Sequence, residues 1–266
     1  MLRKKGKEMI NINYDKCIGC LKCVDKCVCG AIFDNGGKPD FNRKYGCIKC
    51  FHCAAACSEN AFLWGDKPAI INEEMPVIEE TFGDDLKSFL MSKRSIRNFS
   101  DEIVPMELIK EALEIAAWAP SAKNQHPVKY VVMTEETIGK AMDIIVKTLE
   151  ATGACPEILI GLKKGVNMVF AKAKTVIMAY CKANAINPLQ DTALALDYAS
   201  LYLHSKGVGS CWAGYLKDFA SEIPELRELL GLPEGAKFHG CMLIGYPTEE
   251  YYYIPDRIKK ADIQVK

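Results

Sequence analysis

The chain has 266 residues, with 34 Lys plus Arg balanced by 34 Asp plus Glu, so net charge points to no nucleic acid or other polyanion as a partner. No stretch approaches the ~18 consecutive apolar residues that would span a bilayer, and no apolar segment follows the basic opening as in a signal peptide. Thirteen cysteines, eight of them in a repeated spacing, fit a reducing cytoplasm rather than a disulfide scaffold.

In chain order, the basic stretch 2–7 reads as a solvated tail and Met9 as the start of folded chain. Cys17, Cys20, Cys23 and Cys27 then follow C-x2-C-x2-C-x3-C, and Cys47, Cys50, Cys53 and Cys57 repeat it thirty residues later. Three thiolates within seven residues suit a compact inorganic cluster that takes one distant fourth ligand. A tetrahedral zinc more often pairs two short loops. The repeat extends beyond the cysteines: Ile18 matches Ile48, and Ala31 matches Ala61. Each half reads as a cluster loop followed by an apolar strand, two copies sharing one small core.

Over about residues 9–66 this pattern resembles a bacterial two-cluster ferredoxin. The resemblance implies crossed ligation, with Cys17, Cys20, Cys23 and Cys57 on one [4Fe–4S] cluster and Cys47, Cys50, Cys53 and Cys27 on the other. Two positions depart from it. The proline that commonly follows the fourth cysteine is Val28 in one half and Ser58 in the other. Cys29 also stands two residues beyond Cys27 as an alternative ligand in its place. His52, inside the second run, reads as a neighbour of the cluster rather than a ligand.

Residues 66–84 read as a linker, with Pro68, Pro76 and Gly83. The expected domains are 1–75, with core 9–66 and the linker, and 76–266. Asp84 is expected to cap a helix carrying Leu86, Phe89 and Leu90 on one face. Arg94-Ser95-Ile96-Arg97 follows, where helix gives way to extended chain, and supplies guanidiniums and a hydroxyl suited to phosphate oxygens. Pro105 opens a helix with Leu108, Ile109, Ala112, Leu113 and Ala116 inward, stopped by Pro120. The turn from Pro120 to Pro127 offers Ser121, Asn124 and His126, polar groups suited to the rim of a heteroaromatic ring. Residues 128–133, 175–180 and 237–244 read as strands, and 189–206 as a long helix ended by Gly207. The order is α+β without strict βαβ alternation. Gly207 and Gly209 follow a helix and precede a strand, the reverse of a dinucleotide-binding turn. Cys155, Cys181, Cys211 and Cys241 read as core thiols.

From Arg94 to Arg257 these stretches together resemble the FMN-dependent nitroreductase family. Its R-S-x-R signature matches Arg94, Ser95 and Arg97, and its P-S-x-x-N turn matches Pro120, Ser121 and Asn124. Val208 to Tyr215, with Trp212, Ala213 and Gly214, looks like the strand that passes close to the flavin. Pro255, Asp256 and Arg257 look like the segment of its C-terminal phosphate-contacting arginine. Where the family often has Gln, this chain has His126; no side chain stands out as a catalytic acid, and substrate protons would come from water or His126. Asn167 is the candidate for a further polar flavin contact in 151–170.

The resemblances imply a small two-cluster ferredoxin domain followed by an α+β nitroreductase-like FMN domain, in a cytoplasmic homodimer with FMN at the subunit interface. The expected function is an iron–sulfur flavoprotein oxidoreductase that passes electrons from two [4Fe–4S] clusters to FMN. An oxidised organic acceptor such as a nitro compound, quinone or enone would receive them. The primary donor would be a one-electron donor protein or NAD(P)H. Alternatives are an electron carrier with no small-molecule substrate of its own, and a specialised flavin enzyme such as a reductive dehalogenase. No nucleic acid or membrane partner is expected.

Overall fold

A computed structural model describes residues 10–42, 46–69 and 75–266. The basic tail, Met9 and linker residues 70–74 lie outside the described residues. The chain divides into two compact units with the boundary between Glu79 and Glu80.

The first unit repeats one backbone design twice. It comprises β1 (Ile10–Ile12), α1 (Lys22–Asp25), β2 (Ile32–Asp34), β3 (Pro39–Phe41), α2 (His52–Ala55), β4 (Phe62–Trp64) and β5 (Lys67–Pro68). Strand β1 pairs antiparallel with β4, which also takes β5, and β2 pairs with β3. Left-handed backbone recurs at matching positions: Gly19 and Lys49, Leu21 and Phe51, Gly30 and Asn60. So do the turns, since Cys27 N donates to Val24 O and Cys57 N to Ala54 O, each at 3.1 Å. The core is small: Ile10, Ile32, Ala54 and Phe62 close around Cys23 and Cys53, the third cysteine of each run.

The second unit is built on an antiparallel sheet in the order β6-β7-β9-β8, where β6 is Lys129–Met133, β7 Thr175–Lys182, β8 Gly209–Trp212 and β9 Ala236–Gly245. Central strands β7 and β9 are buried on both faces, so they read as continuous apolar runs rather than alternating ones. Val176, Met178, Cys241 and Leu243 face one layer, formed by α5 (Glu135–Thr152), α6 (Pro156–Lys163), α8 (Gly214–Glu222) and α9 (Pro224–Leu229). Ile177, Ala179, Met242 and Ile244 face the other, formed by α4 (Met106–Ala116) and α7 (Pro188–Ser205). The α+β expectation agrees with this helix–sheet–helix sandwich.

The remaining helix, α3 (Phe82–Ser92), begins two residues before the expected cap. Thr81 precedes it and Asp84 lies in its first turn, where its charge favours the positive end of the helix dipole. None of its residues is buried; Phe82, Leu86, Leu90 and Met91 present an exposed apolar stripe. Among the described residues no helix is long and apolar enough to cross a membrane.

Candidate cofactor-binding sites

In the second unit the segment after α3 forms a strap along the sheet edge. Ser95 bridges Ser210 in parallel, Ile96 N donates to Ser210 O at 3.0 Å, and Ser100 N donates to Tyr246 O at 2.8 Å. Two glycines permit this approach. A Cβ at Gly209 would lie 2.6 Å from Ile96 Cγ1, and one at Gly245 would lie 2.8 Å from Phe99 Cδ1. Ile96 and Phe99 therefore anchor the strap in the core, while Arg97 and Asn98 stay exposed.

Arg97 and Asn98 form one wall of a cavity of about 500 Å³. Its floor is Cys211, Trp212, Ala213 and Leu243, and at its edge Gly214 and Tyr215 open α8. Amides of a first helical turn have no intrahelical acceptor and present partial positive charge. The opposite wall is 165–172. There Asn167 Oδ1 accepts Val169 N at 3.0 Å and Phe170 N at 2.9 Å, so Asn167 shapes the turn as well as lining the cavity. Lys172 is the second cation on the wall, and no carboxylate lines it. A volume within the usual range for cofactor clefts, an aromatic floor and two uncompensated cations suit an aromatic ring system that carries a phosphate.

Arg94 and Ser95 lie on the same strap but outside the cavity lining. The Arg94 guanidinium donates to Met91 O at 2.8 Å and Lys93 O at 2.7 Å, tying down the end of α3. Arg97 Nη1 donates to Ser95 O at 3.3 Å, leaving most of its donor fork open. Behind the strap, burial lowers the pKa of Lys93, and its Nζ donates to Ser210 Oγ at 3.2 Å.

The turn 121–126 is not part of this cavity. Ser121 Oγ accepts His126 N at 2.9 Å, His126 Nε2 meets Asn124 Oδ1 at 2.8 Å, and Ala122 N donates to the buried Asp191 Oδ1 at 3.0 Å. Lys123, Asn124 and His126 have φ of 50°, 54° and 43°, left-handed backbone that non-glycine residues adopt at a cost. The bond from Ala122 N to buried Asp191 helps hold this strained backbone in place. His126, one expected source of substrate protons, is bonded within this turn and lines no part of the cavity. Arg257 sits in the exposed tail, where its N donates to Asp256 Oδ1 at 2.8 Å. The expected contacts thus separate: Arg97, Trp212, Ala213, Gly214 and Asn167 meet at the cavity, whereas Ser121, Asn124, His126 and Arg257 do not. Sequence reading missed Asn98, Lys172 and Tyr215. Lys172 follows Ala171, whose φ of 50° carries no sequence signal.

In the first unit, no three Cys, His, Asp or Glu side chains among the described residues converge tightly enough for a single metal ion. The cysteines line two separate cavities instead. One holds Cys17, Cys20 and Cys23 of the first run with Cys57 of the second. The other holds Cys47, Cys50 and Cys53 with Cys27, and also Cys29. Each cavity therefore takes the first three thiols of one run and the fourth of the other, and the second cavity adds Cys29. Burial first, then the neighbouring Cys47, Cys50 and Cys27, push the Cys53 thiol up to about 12. Backbone amides are already turned toward sulfur: Lys49 N donates to Cys47 Sγ and Ala61 N to Cys57 Sγ, both at 3.4 Å.

The sequence profile of the nitroreductase family matches residues 90–246, the span that builds the sheet, the strap and the cavity lined by Arg97 and Trp212. The chain belongs to the nitroreductase family. An Archaeoglobus fulgidus protein provisionally named an NADH dehydrogenase/NAD(P)H nitroreductase is 30% identical over 174 residues, covering 63% of this chain and 90% of that one. The fold is shared with a crystal structure of an FMN-bound nitroreductase from Bacteroides fragilis, at TM-score 0.59 and 21% identity, covering 71% of this chain and 99% of that one. A second FMN-bound nitroreductase, from Desulfitobacterium hafniense, gives TM-score 0.56 and 23% identity, covering 71% and 100%.

Proposed function

We propose that this chain is an iron–sulfur flavoprotein in which two [4Fe–4S] clusters of the first unit feed electrons to FMN in the second, for reduction of an organic acceptor such as a nitro compound, quinone or enone. The chain is an FMN-dependent oxidoreductase of the nitroreductase class. The cluster half of the proposal rests on the crossed distribution of eight cysteines over two cavities. When bound, FMN supplies two-electron chemistry at carbon or nitrogen and the clusters supply one-electron transfer.

The residues divide that work. Arg97 would hold the phosphate and Lys172 would add charge from another wall, while Arg94, tied to Met91 O and Lys93 O, anchors the end of α3 from which the strap runs. Trp212 and Ala213 would line the ring site, and the free amides at the start of α8, Gly214 and Tyr215, would offer donors to negative charge on the bound cofactor. Asn167 fixes the turn that closes the far side.

Residues off the cavity have a use in a homodimer: Ser121, Asn124, His126 and Arg257 address the cofactor of a second copy. The apolar stripe of α3 and the exposed Leu194 and Tyr198 of α7 support such a contact. Only 36 residues separate Cys57 from Arg94, a short tether that keeps the two redox units at high mutual concentration. Clusters of this type can lie at about −400 mV or below, and potentials of that kind favour flow from a one-electron donor protein inward to the flavin. NAD(P)H remains the alternative donor, acting on the flavin directly.

Composition tests the proposal. Anaerobically purified protein should hold about eight iron, about eight acid-labile sulfide and one FMN per chain. Zinc in place of iron after reconstitution would overturn the cluster assignment, and FAD in place of FMN the flavin assignment.

A further inference from the structure

The two halves of the first unit differ at one position that matters for ligation. Aligning the repeats sets Cys27 against Cys57, Val28 against Ser58 and Cys29 against Glu59. Both residues of the last pair line a cluster cavity. Glu59 lies on the one holding Cys17, Cys20, Cys23 and Cys57, and Cys29 on the one holding Cys47, Cys50, Cys53 and Cys27. Val28 between the two thiols is 76% exposed, so the chain turns Cys27 and Cys29 inward on either side of an outward residue. Cys29 is half-buried against this cavity, whereas Glu59 is exposed and accepts Ser58 Oγ at 2.9 Å.

We propose that Cys29 is a reserve fourth ligand for the cluster held by Cys47, Cys50 and Cys53. That cluster then survives loss of Cys27, while the other does not survive loss of Cys57. This rests on the two-cluster reading above and concerns which thiols can complete it. Thiolate is the soft donor that iron–sulfur clusters select, and a carboxylate is a poor substitute, so Glu59 offers the first cavity no equivalent reserve. Without Cys27, the Cys29 thiol would lose its proton to solvent and bind the iron corner left open. No electron changes place. The turn geometry favours the exchange, because Gly30 N donates to Cys27 O at 2.9 Å and closes a turn carrying both sulfurs beside one cavity.

The test uses the full chain, reconstituted anaerobically with iron and sulfide. Cys27→Ala should retain about eight iron per chain, whereas Cys57→Ala and the Cys27→Ala/Cys29→Ala double variant should each fall to about four. Alkylation mapped by mass spectrometry gives a readout independent of yield and folding. Cys29 should react with iodoacetamide in the loaded wild type and be protected in loaded Cys27→Ala. A Cys27→Ala protein with the iron content of the double variant, or with Cys29 as reactive as in wild type, would overturn the proposal while leaving the two clusters intact. Full iron retention in Cys57→Ala would overturn the asymmetry. A wild type that takes up no iron would overturn the cluster reading itself.

Discussion

Replacing Arg97 by Ala removes the one guanidinium among the described residues lining the cavity beside Trp212. In the folded chain that group makes one weak contact, from Nη1 to Ser95 O at 3.3 Å, so its loss should barely disturb the strap, which Ile96 and Phe99 anchor. The effect should fall on phosphate binding. A hydrogen bond to a charged partner contributes about 1.5–3 kcal/mol, so one lost contact should weaken FMN affinity by about tenfold to 150-fold. Lys172 remains to hold part of the charge, which keeps the loss inside that range. Flavin-depleted protein titrated with FMN by fluorescence gives the dissociation constant directly. Arg97→Lys should recover part of it, since a lysine restores charge without the fork. An Arg97→Ala protein that binds FMN within twofold of wild type would refute the assignment of this cavity as the phosphate site.

Gly209→Ala should destabilise the second unit by about 1–3 kcal/mol in denaturant unfolding and lower flavin content, because its Cβ would meet Ile96 and push the strap outward. His204 has its pKa lowered by burial and then by Lys93, in a site where Ser92 Oγ lies 3.0 Å from its ring and Phe89 packs on it. Its neutral form is the folded one, so its stabilising contribution is full above the ordinary histidine value of 6.5 and is lost as pH falls from there through the lowered pKa. Wild type should therefore lose melting temperature between neutral pH and about pH 5 more steeply than His204→Gln. Leu86→Glu with Leu90→Glu should shift the chain to monomer by light scattering and release flavin, since a dimer contact would gain about 1.5–3 kcal/mol per fully buried leucine.

The sheet was legible where burial leaves a simple trace. Residues 175–180 and 237–244 read as strands because both faces of β7 and β9 are covered, and the long helix α7 was bounded by Pro188 and Gly207. Helix α5 carried its own signal, with Ile138, Ala141, Ile145 and Leu149 at helical spacing, and was passed over. Helices α6, α8 and α9 are short, and their inward residues count only once packed on the sheet. Each thiol cavity draws on cysteines from both halves of the first unit, a long-range pairing that spacing alone does not state. The separation of Ser121, Asn124, His126 and Arg257 from the cavity was not legible, because a motif states which residue types recur and not where the backbone carries them. Nor does composition disclose three left-handed non-glycine residues in the turn 121–126.

The central claim is that the clusters carry electrons to the flavin. Its most direct measurement is anaerobic stopped-flow reduction of the full chain by a reduced ferredoxin, read at the flavin band, beside a Cys47→Ala/Cys50→Ala variant still loaded with FMN. Flavin reduction by that donor should slow by at least about tenfold in the variant, with reduction by dithionite unchanged. Equal flavin reduction by the ferredoxin in both proteins would contradict the claim.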